Sequence, residues 1–122
     1  MVTAVTSLGR NGLADWLIQR ASAVVMAVYT LTIVGYLLMH PDPGFALWSQ
    51  LFSHLWMRVF TLLVILSVVA HGWIGLWVVL TDYMTERLIG ASALLIRTAV
   101  MGLYALVSIT VLVWGVEIVW GF

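Results

Sequence analysis

Long uncharged stretches separated by short polar segments dominate the pattern of this chain. Residues 21–39, 59–81 and 98–116 contain no Asp, Glu, Lys or Arg. Each comes close to the roughly 20 apolar residues that a helix needs to cross a hydrocarbon core about 30 Å thick. Lipid offers the backbone no hydrogen bonds, and three segments cannot close a barrel, so each span must be a helix. The pattern predicts an all-α membrane protein with three transmembrane helices in one membrane domain, residues 1–122.

The segments outside these spans predict short helices at the membrane surface. Apolar residues recur at helical spacing over about residues 11–20 and again over about 45–58, as in amphipathic segments that lie in the interface. Two prolines and a glycine within residues 40–44 prevent the first span from continuing as a helix into the second of these segments. The third helix is expected at about 87–116, because it can begin well before its uncharged part.

The composition indicates lipid rather than water as the main solvent. Of the 122 residues, 64% are hydrophobic and 8% are charged, and the mean hydropathy is +1.14, whereas soluble domains carry about 25% charged residues. The net charge is zero and lysine is absent, so nucleic acid is not an expected partner. Cysteine is absent too, so this chain can ligate no iron–sulfur cluster through its own thiolates. Residues 1–20 lack the apolar core of a signal peptide, and no cleavage is expected.

The arginines predict the orientation in the membrane. Arg10, Arg20, Arg87 and Arg97 lie on one side of the predicted spans, and Arg58 lies on the other. Loops rich in arginine and lysine remain on the cytoplasmic side. The N-terminus is therefore expected in the cytoplasm and the C-terminus outside.

His71 is the one ionisable side chain near the middle of a predicted span. Such a residue is costly in the membrane and marks a functional site with a partner. It can be a haem ligand, a proton-relay residue, or a neutral imidazole hydrogen-bonded to a neighbouring helix. Ser67 and Gly75 lie one turn on either side, and small residues there would let a flat macrocycle approach the backbone. Asp82 lies within about 20° of His71 around the helix and roughly 16 Å along it, so one stripe joins mid-membrane to the cytoplasmic surface.

A haem that transfers electrons commonly has two axial ligands, but this chain offers one histidine within its spans. His40 and His54 fall outside the spans and are expected in solvent or at headgroup level. Met26 or Met101 can ligate haem iron in principle, although methionine within a helix usually serves packing. The second ligand is therefore expected from the facing helix of a partner.

Polar groups also mark the cytoplasmic ends of the first two spans. The Tyr83 hydroxyl can donate a hydrogen bond to a quinone carbonyl, and the neighbouring Asp82 can orient that hydroxyl or pass protons. Alternatively, Tyr83 belongs to the aromatic belt and Asp82 ends the helix. Arg20 can anchor the first span at headgroup level and can also bind a haem propionate in a bidentate manner.

Several sequence blocks carry a family resemblance. They are LGRNG at residues 8–12, Arg20 before the first span, HGWIGLW at 71–77 continued by LTDY at 80–83, and VWG at 119–121. In these blocks the chain resembles the smaller hydrophobic membrane anchors of bacterial succinate dehydrogenase, the respiratory succinate:quinone oxidoreductase. The resemblance covers nearly the whole chain, and the block from His71 to Tyr83 is its most specific part.

The resemblance implies a six-helix membrane domain formed with a second, homologous membrane subunit, with one haem b between the two chains. It implies that His71 is an axial ligand of the haem iron, that Arg20 lies near a propionate, and that Tyr83 and Asp82 line the ubiquinone site. The flavoprotein and iron–sulfur subunits would dock on the cytoplasmic side of the bacterial inner membrane and oxidise succinate. The chain itself would be a non-catalytic anchor that contributes to the quinone site.

Two other function classes remain open from the residues alone. In a small proton- or ion-conducting protein, His71 and Asp82 would form a relay along a water-filled path. In a cofactor-free structural anchor, His71 would merely hydrogen-bond to a neighbouring helix. A visible difference spectrum separates these classes, because only the haem interpretation gives a b-type band.

Overall fold

The structure is a computed structural model in which residues 12–121 are described. Arg10 and residues 8–11 of the LGRNG block lie outside the described residues. The helices are α1 (Gly12–Met39), α2 (Gly44–Ser53), α3 (Leu55–Tyr83), α4 (Glu86–Ile89) and α5 (Ala93–Trp120), with a 3₁₀ turn at Gly90–Ser92. Three helical segments are long and apolar enough to cross a membrane: α1, α3 and the stretch Glu86–Trp120. The prediction of an all-α chain with three transmembrane helices is confirmed.

α1 includes the segment for which the sequence predicts a separate surface helix at 11–20. Residues 12–20 instead form the first turns of one continuous helix of 28 residues. No proline or glycine lies between Leu13 and Ala21, so nothing interrupts the backbone hydrogen bonds of the helix. At 1.5 Å per residue α1 is about 42 Å long, which exceeds the hydrocarbon thickness.

α2 forms a short cap over the far end of α1 and α3. The Tyr36 hydroxyl at the end of α1 donates a hydrogen bond to the carbonyl of Leu47 in α2 at 3.2 Å. The Arg58 Nε–H of α3 donates to the carbonyl of Phe52 at 3.0 Å. His54 is extended, with ψ 134°, and separates α2 from α3. The predicted surface segment at 45–58 is therefore shorter than expected, because residues 55–58 already belong to α3.

A glycine divides the third predicted helix. α4 ends at Gly90, whose φ of 83° lies in a region that side chains with a Cβ rarely adopt. The chain then resumes through the 3₁₀ turn into α5, which begins at Ala93. The helix expected at 87–116 is thus a short helix, a turn and a long helix that continues to Trp120.

α3 is the central helix and packs against both α1 and α5. On the α1 side, the Tyr29 and Thr61 hydroxyls are 2.9 Å apart and hydrogen-bonded. On the α5 side, the Tyr104 hydroxyl donates to the carbonyl of Val69 at 2.9 Å. A Cβ atom at Gly72 would collide with that hydroxyl, so the close approach of α5 to α3 requires glycine there.

Most of the apolar surface of the described helices faces outward. In the most apolar window of α1 and of α3, 6% of the residues are buried, and in that of the third segment 11% are. Exposed apolar area on this scale marks a protein whose surroundings are lipid or other helices. The three helices therefore form a thin layer rather than a closed bundle.

Candidate functional site

A groove opens between the first half of α1 and the second half of α3. Its volume is about 670 Å³, within the range of roughly 300–1,000 Å³ typical of ligand pockets. The groove is lined by Gly12, Asp15, Trp16, Gln19, Arg20, His71, Ile74, Gly75, Val78, Thr81 and Asp82. The beginning of α1 and the end of α3 lie at the same end of the molecule, so the groove runs from that end to mid-helix.

His71 is held at the deep end of this groove by a side chain of α1. Its Nδ1 lies 3.0 Å from the Ser22 Oγ, and the Ser22 hydroxyl donates its hydrogen bond to the carbonyl of Gln19 at 3.0 Å. A serine hydroxyl has one proton to donate. Since that proton is committed to Gln19, the imidazole Nδ1–H must donate to Ser22. This arrangement leaves the lone pair of Nε2 as the free basic site of the ring.

Small residues around His71 have two different roles. Gly75 lines the groove, and a Cβ atom there would lie 3.6 Å from the Gln19 amide nitrogen. Ser67, one turn on the other side, is 8% exposed and donates to the carbonyl of Leu63. Ser67 does not line the groove of His71. It lines a shallow groove against Ser22 and other residues of α1, so its small size serves helix contact.

Asp15 is a buried carboxylate on the same face of α1 as Ser22. It is 5% exposed, and neither of its oxygens accepts a hydrogen bond from the described residues. The buried amide oxygen of Gln19 likewise lacks a donor there. Buried acceptors without donors are costly, so this stretch of the groove favours a ligand or partner that brings hydrogen-bond donors.

The other sequence-predicted site residues lie closer to the groove mouth. Arg20 lines the groove, and its guanidinium lies 5.5 Å from the centre of the Trp16 ring. Asp82 also lines the groove. Tyr83 is 66% exposed and is not a lining residue. The structure thus brings His71, Arg20 and Asp82 together, and it leaves Tyr83 beside the mouth at the end of α3.

None of the alternative ligands considered from the sequence lines this groove. The His40 ring stacks on Tyr36 at 4.5 Å, and His54 connects α2 to α3. Met101 is buried in α5 and lines a different groove. Among residues 12–121, no three His, Asp or Glu side chains come close enough to hold a metal ion together. His71 therefore acts in this region as a single ligand.

Sequence reasoning missed Asp15, Gln19 and Ser22 as members of the site. They fall at successive spacings of four and three, which places them on one face of α1. That polar stripe was readable in the sequence. Its pairing with His71 was not, because it depends on the register between α1 and α3.

The fold and groove define a class: a multi-pass helical membrane protein with a polar groove that holds one imidazole. The profile of the succinate dehydrogenase/fumarate reductase transmembrane subunit family matches residues 3–112. The succinate dehydrogenase hydrophobic membrane anchor subunit of Coxiella burnetii (strain RSA 493 / Nine Mile phase I) is 36% identical over 116 residues, which is 95% of this chain and 95% of that relative. The chain belongs to the succinate dehydrogenase/fumarate reductase transmembrane subunit family.

Proposed function

We propose that this membrane anchor supplies one axial ligand to a haem b and part of a ubiquinone-reduction site. The observation that carries the proposal is the hydrogen bond between His71 Nδ1 and Ser22 Oγ at 3.0 Å. It leaves Nε2 of His71 as the ligating atom and fixes the orientation of the ring, as hydrogen-bond partners of metal-bound histidines do.

The residues of the groove fit a haem that is shared between two chains. His71 would ligate the iron through Nε2, and Gly75 leaves the wall of α3 low beside it. Arg20, nearer the mouth, would bind a propionate through its guanidinium. When bound, the haem supplies an iron centre that accepts and releases one electron. Because the groove is open on one side, the second axial ligand would come from a facing helix.

The proposed owner of that helix is a second, homologous membrane subunit, which completes a six-helix membrane domain. The exposed apolar faces of the helices support this pairing, since they leave much surface available to other helices. The iron–sulfur and flavoprotein subunits would dock at the end that carries the groove mouth. There they would deliver electrons from succinate to the membrane domain.

The proposed quinone contact lies at the same end. Reduction of a quinone to a quinol consumes two protons and two electrons. Asp82 lines the groove mouth, where it can pass protons to a bound headgroup. The exposed Tyr83 hydroxyl, one residue further on, would donate a hydrogen bond to a quinone carbonyl. The proposed location is the bacterial inner membrane, with the groove mouth and N-terminus cytoplasmic and the C-terminus periplasmic.

The His71→Leu substitution tests the ligand assignment in the assembled complex. We expect loss of the low-spin b-type band from the reduced-minus-oxidised visible spectrum. The remaining haem should be five-coordinate or absent. His54→Leu is the matched control, because His54 is exposed and outside the groove, and it should leave the spectrum unchanged. An unchanged low-spin spectrum in assembled His71→Leu complex would overturn the assignment and favour a relay or a purely structural histidine.

A further inference from the structure

A second groove lies on the opposite face of α3 from His71. Trp73 follows His71 by two residues, which places it about 200° around the helix. Together with the first turns of α5 it encloses a groove of about 430 Å³. The groove therefore faces away from the candidate haem site.

Two buried hydrogen-bond donors in this second groove lack acceptors. They are the Nε–H of Arg97 and the indole N–H of Trp73, and neither has a partner within residues 12–121. The Trp73 ring is held against Tyr104, with 6.1 Å between ring centres. A buried donor without an acceptor is costly, and one of these two belongs to a cation. The missing occupant must therefore carry acceptor atoms and negative charge.

The remaining wall of the groove is apolar and runs into the depth of the membrane. Arg97 lies four residues after the start of α5 and so near the helix end, whereas Met101, Gly102 and Ala105 follow at depths of about 12–18 Å from that start. A Cβ atom at Gly102 would meet nothing within 4 Å, so the wall is open there. A charged upper end and an apolar lower end match an amphiphile that stands parallel to the helices.

We propose that this groove binds one anionic phospholipid. Its phosphate pairs with the Arg97 guanidinium, which bonds phosphate oxygens readily. An ester carbonyl of the glycerol backbone accepts the hydrogen bond of the Trp73 indole, and an acyl chain follows Met101, Gly102 and Ala105. A neutral quinone would satisfy the indole but would leave the charge of Arg97 uncompensated, so the observations favour the lipid. This site is separate from the proposed haem and quinone functions and does not depend on them.

The test measures phospholipid retained by the purified complex in native mass spectra after delipidation with detergent. Phosphatidylglycerol and phosphatidylcholine with identical acyl chains are then added back separately. The parent complex should bind phosphatidylglycerol at least tenfold more tightly than phosphatidylcholine, and Arg97→Gln should abolish that difference. Arg87→Gln is the matched control, because it removes the same charge at the same end from a residue that does not line the groove.

A steric variant keeps the test decisive if Arg97→Gln impairs assembly. Gly102→Leu adds an isobutyl group to the open wall without changing charge and should reduce phosphatidylglycerol binding at least tenfold. Gly35→Leu makes the same change at another open position outside the groove and should leave binding unchanged. Equal affinity for the two lipids, retention of a neutral quinone instead, or full binding in both groove variants would overturn the proposal.

Discussion

The orientation of His71 depends on one hydroxyl of another helix. Ser22 accepts the hydrogen bond of the imidazole and donates its own hydrogen bond to the carbonyl of Gln19. Such a bond to the imidazole increases electron donation from Nε2 and favours the oxidised state of a ligated iron. The effect of Ser22 should therefore appear in the haem potential rather than in haem content.

Ser22→Ala should raise the haem midpoint potential, because the imidazole loses its acceptor and donates less charge. A hydrogen bond of about 0.5–1.5 kcal/mol corresponds to roughly 20–60 mV for one electron. Ser22→Thr retains a hydroxyl and should stay near the parent value. Ser108→Ala, which removes a buried hydroxyl from α5, serves as control in the same redox titration. Equal potentials in all four proteins would separate Ser22 from the haem.

Tyr83→Phe tests the proposed quinone contact at the groove mouth. The substitution keeps the exposed ring but removes the hydroxyl, so it should lower ubiquinone reduction by about ten- to a hundredfold, equivalent to roughly 1–3 kcal/mol. The assay uses limiting ubiquinone and records haem content alongside. Succinate-dependent reduction of a soluble dye should remain at the parent rate. Parent-level ubiquinone reduction would return Tyr83 to the aromatic belt.

The sequence predicted part of this site because its signals lie within one helix. His71 and Asp82 share a face of α3, and the structure places both in one groove. Ser22 escaped prediction because its contact joins residues 49 positions apart. Asp15 escaped because a carboxylate near a helix start is usually an ordinary feature of the first turn, and only the fold shows that it is buried.

At the scale of elements, the contact between α3 and α5 depends on the absence of a side chain. Gly72 leaves room for the Tyr104 hydroxyl, which bonds the carbonyl of Val69. The helix pair therefore fits closely at mid-length. Hydrophobicity placed these spans correctly but could not locate this contact, since it carries no information on which faces meet.

Gly72→Ala should destabilise the pairing of α3 with α5 by about 1–3 kcal/mol, as overpacked cores generally do. The added methyl group collides with the Tyr104 hydroxyl, so the double variant Gly72→Ala/Tyr104→Phe should recover much of the loss. Thermal unfolding of the detergent-purified complex provides the measurement, with Gly35→Ala as a control at an open position. Equal midpoints for Gly72→Ala and Gly35→Ala would contradict the close contact.

Helix boundaries show where the sequence signal ended. The proline-rich break at 40–44 was evident, and α2 begins directly after it. The break at Gly90 was not predicted, because an isolated glycine in an apolar or amphipathic stretch is compatible with a helix. Its positive φ is determined by how α4 and α5 meet.

At the scale of the whole molecule, the arginines and the groove define one end. Arg20, Arg87 and Arg97 lie at the end where α1 begins and α3 finishes, and Arg58 lies at the other. The groove mouth is at the arginine-rich end. Electrons and protons that arrive from the cytoplasm would therefore reach the groove directly.

Reporter fusions test this orientation. Alkaline phosphatase fused after residue 45 should be active, because that position is expected in the periplasm. The same enzyme fused after residue 90 should be inactive, while a cytoplasmic fluorescent reporter at that position should fold. The reverse pattern would place the groove mouth on the periplasmic side and remove the basis of the quinone proposal.

The hydrogen bond between Ser22 and His71 also bears on the order of biosynthesis. Both residues belong to the first two long helices, which leave the ribosome before α5 is complete. The α1–α3 hairpin can thus set the imidazole rotamer before the last span or any partner arrives. A later ligand meets a side chain whose entropy of immobilisation is already spent, so loading can follow insertion without waiting for the final helix.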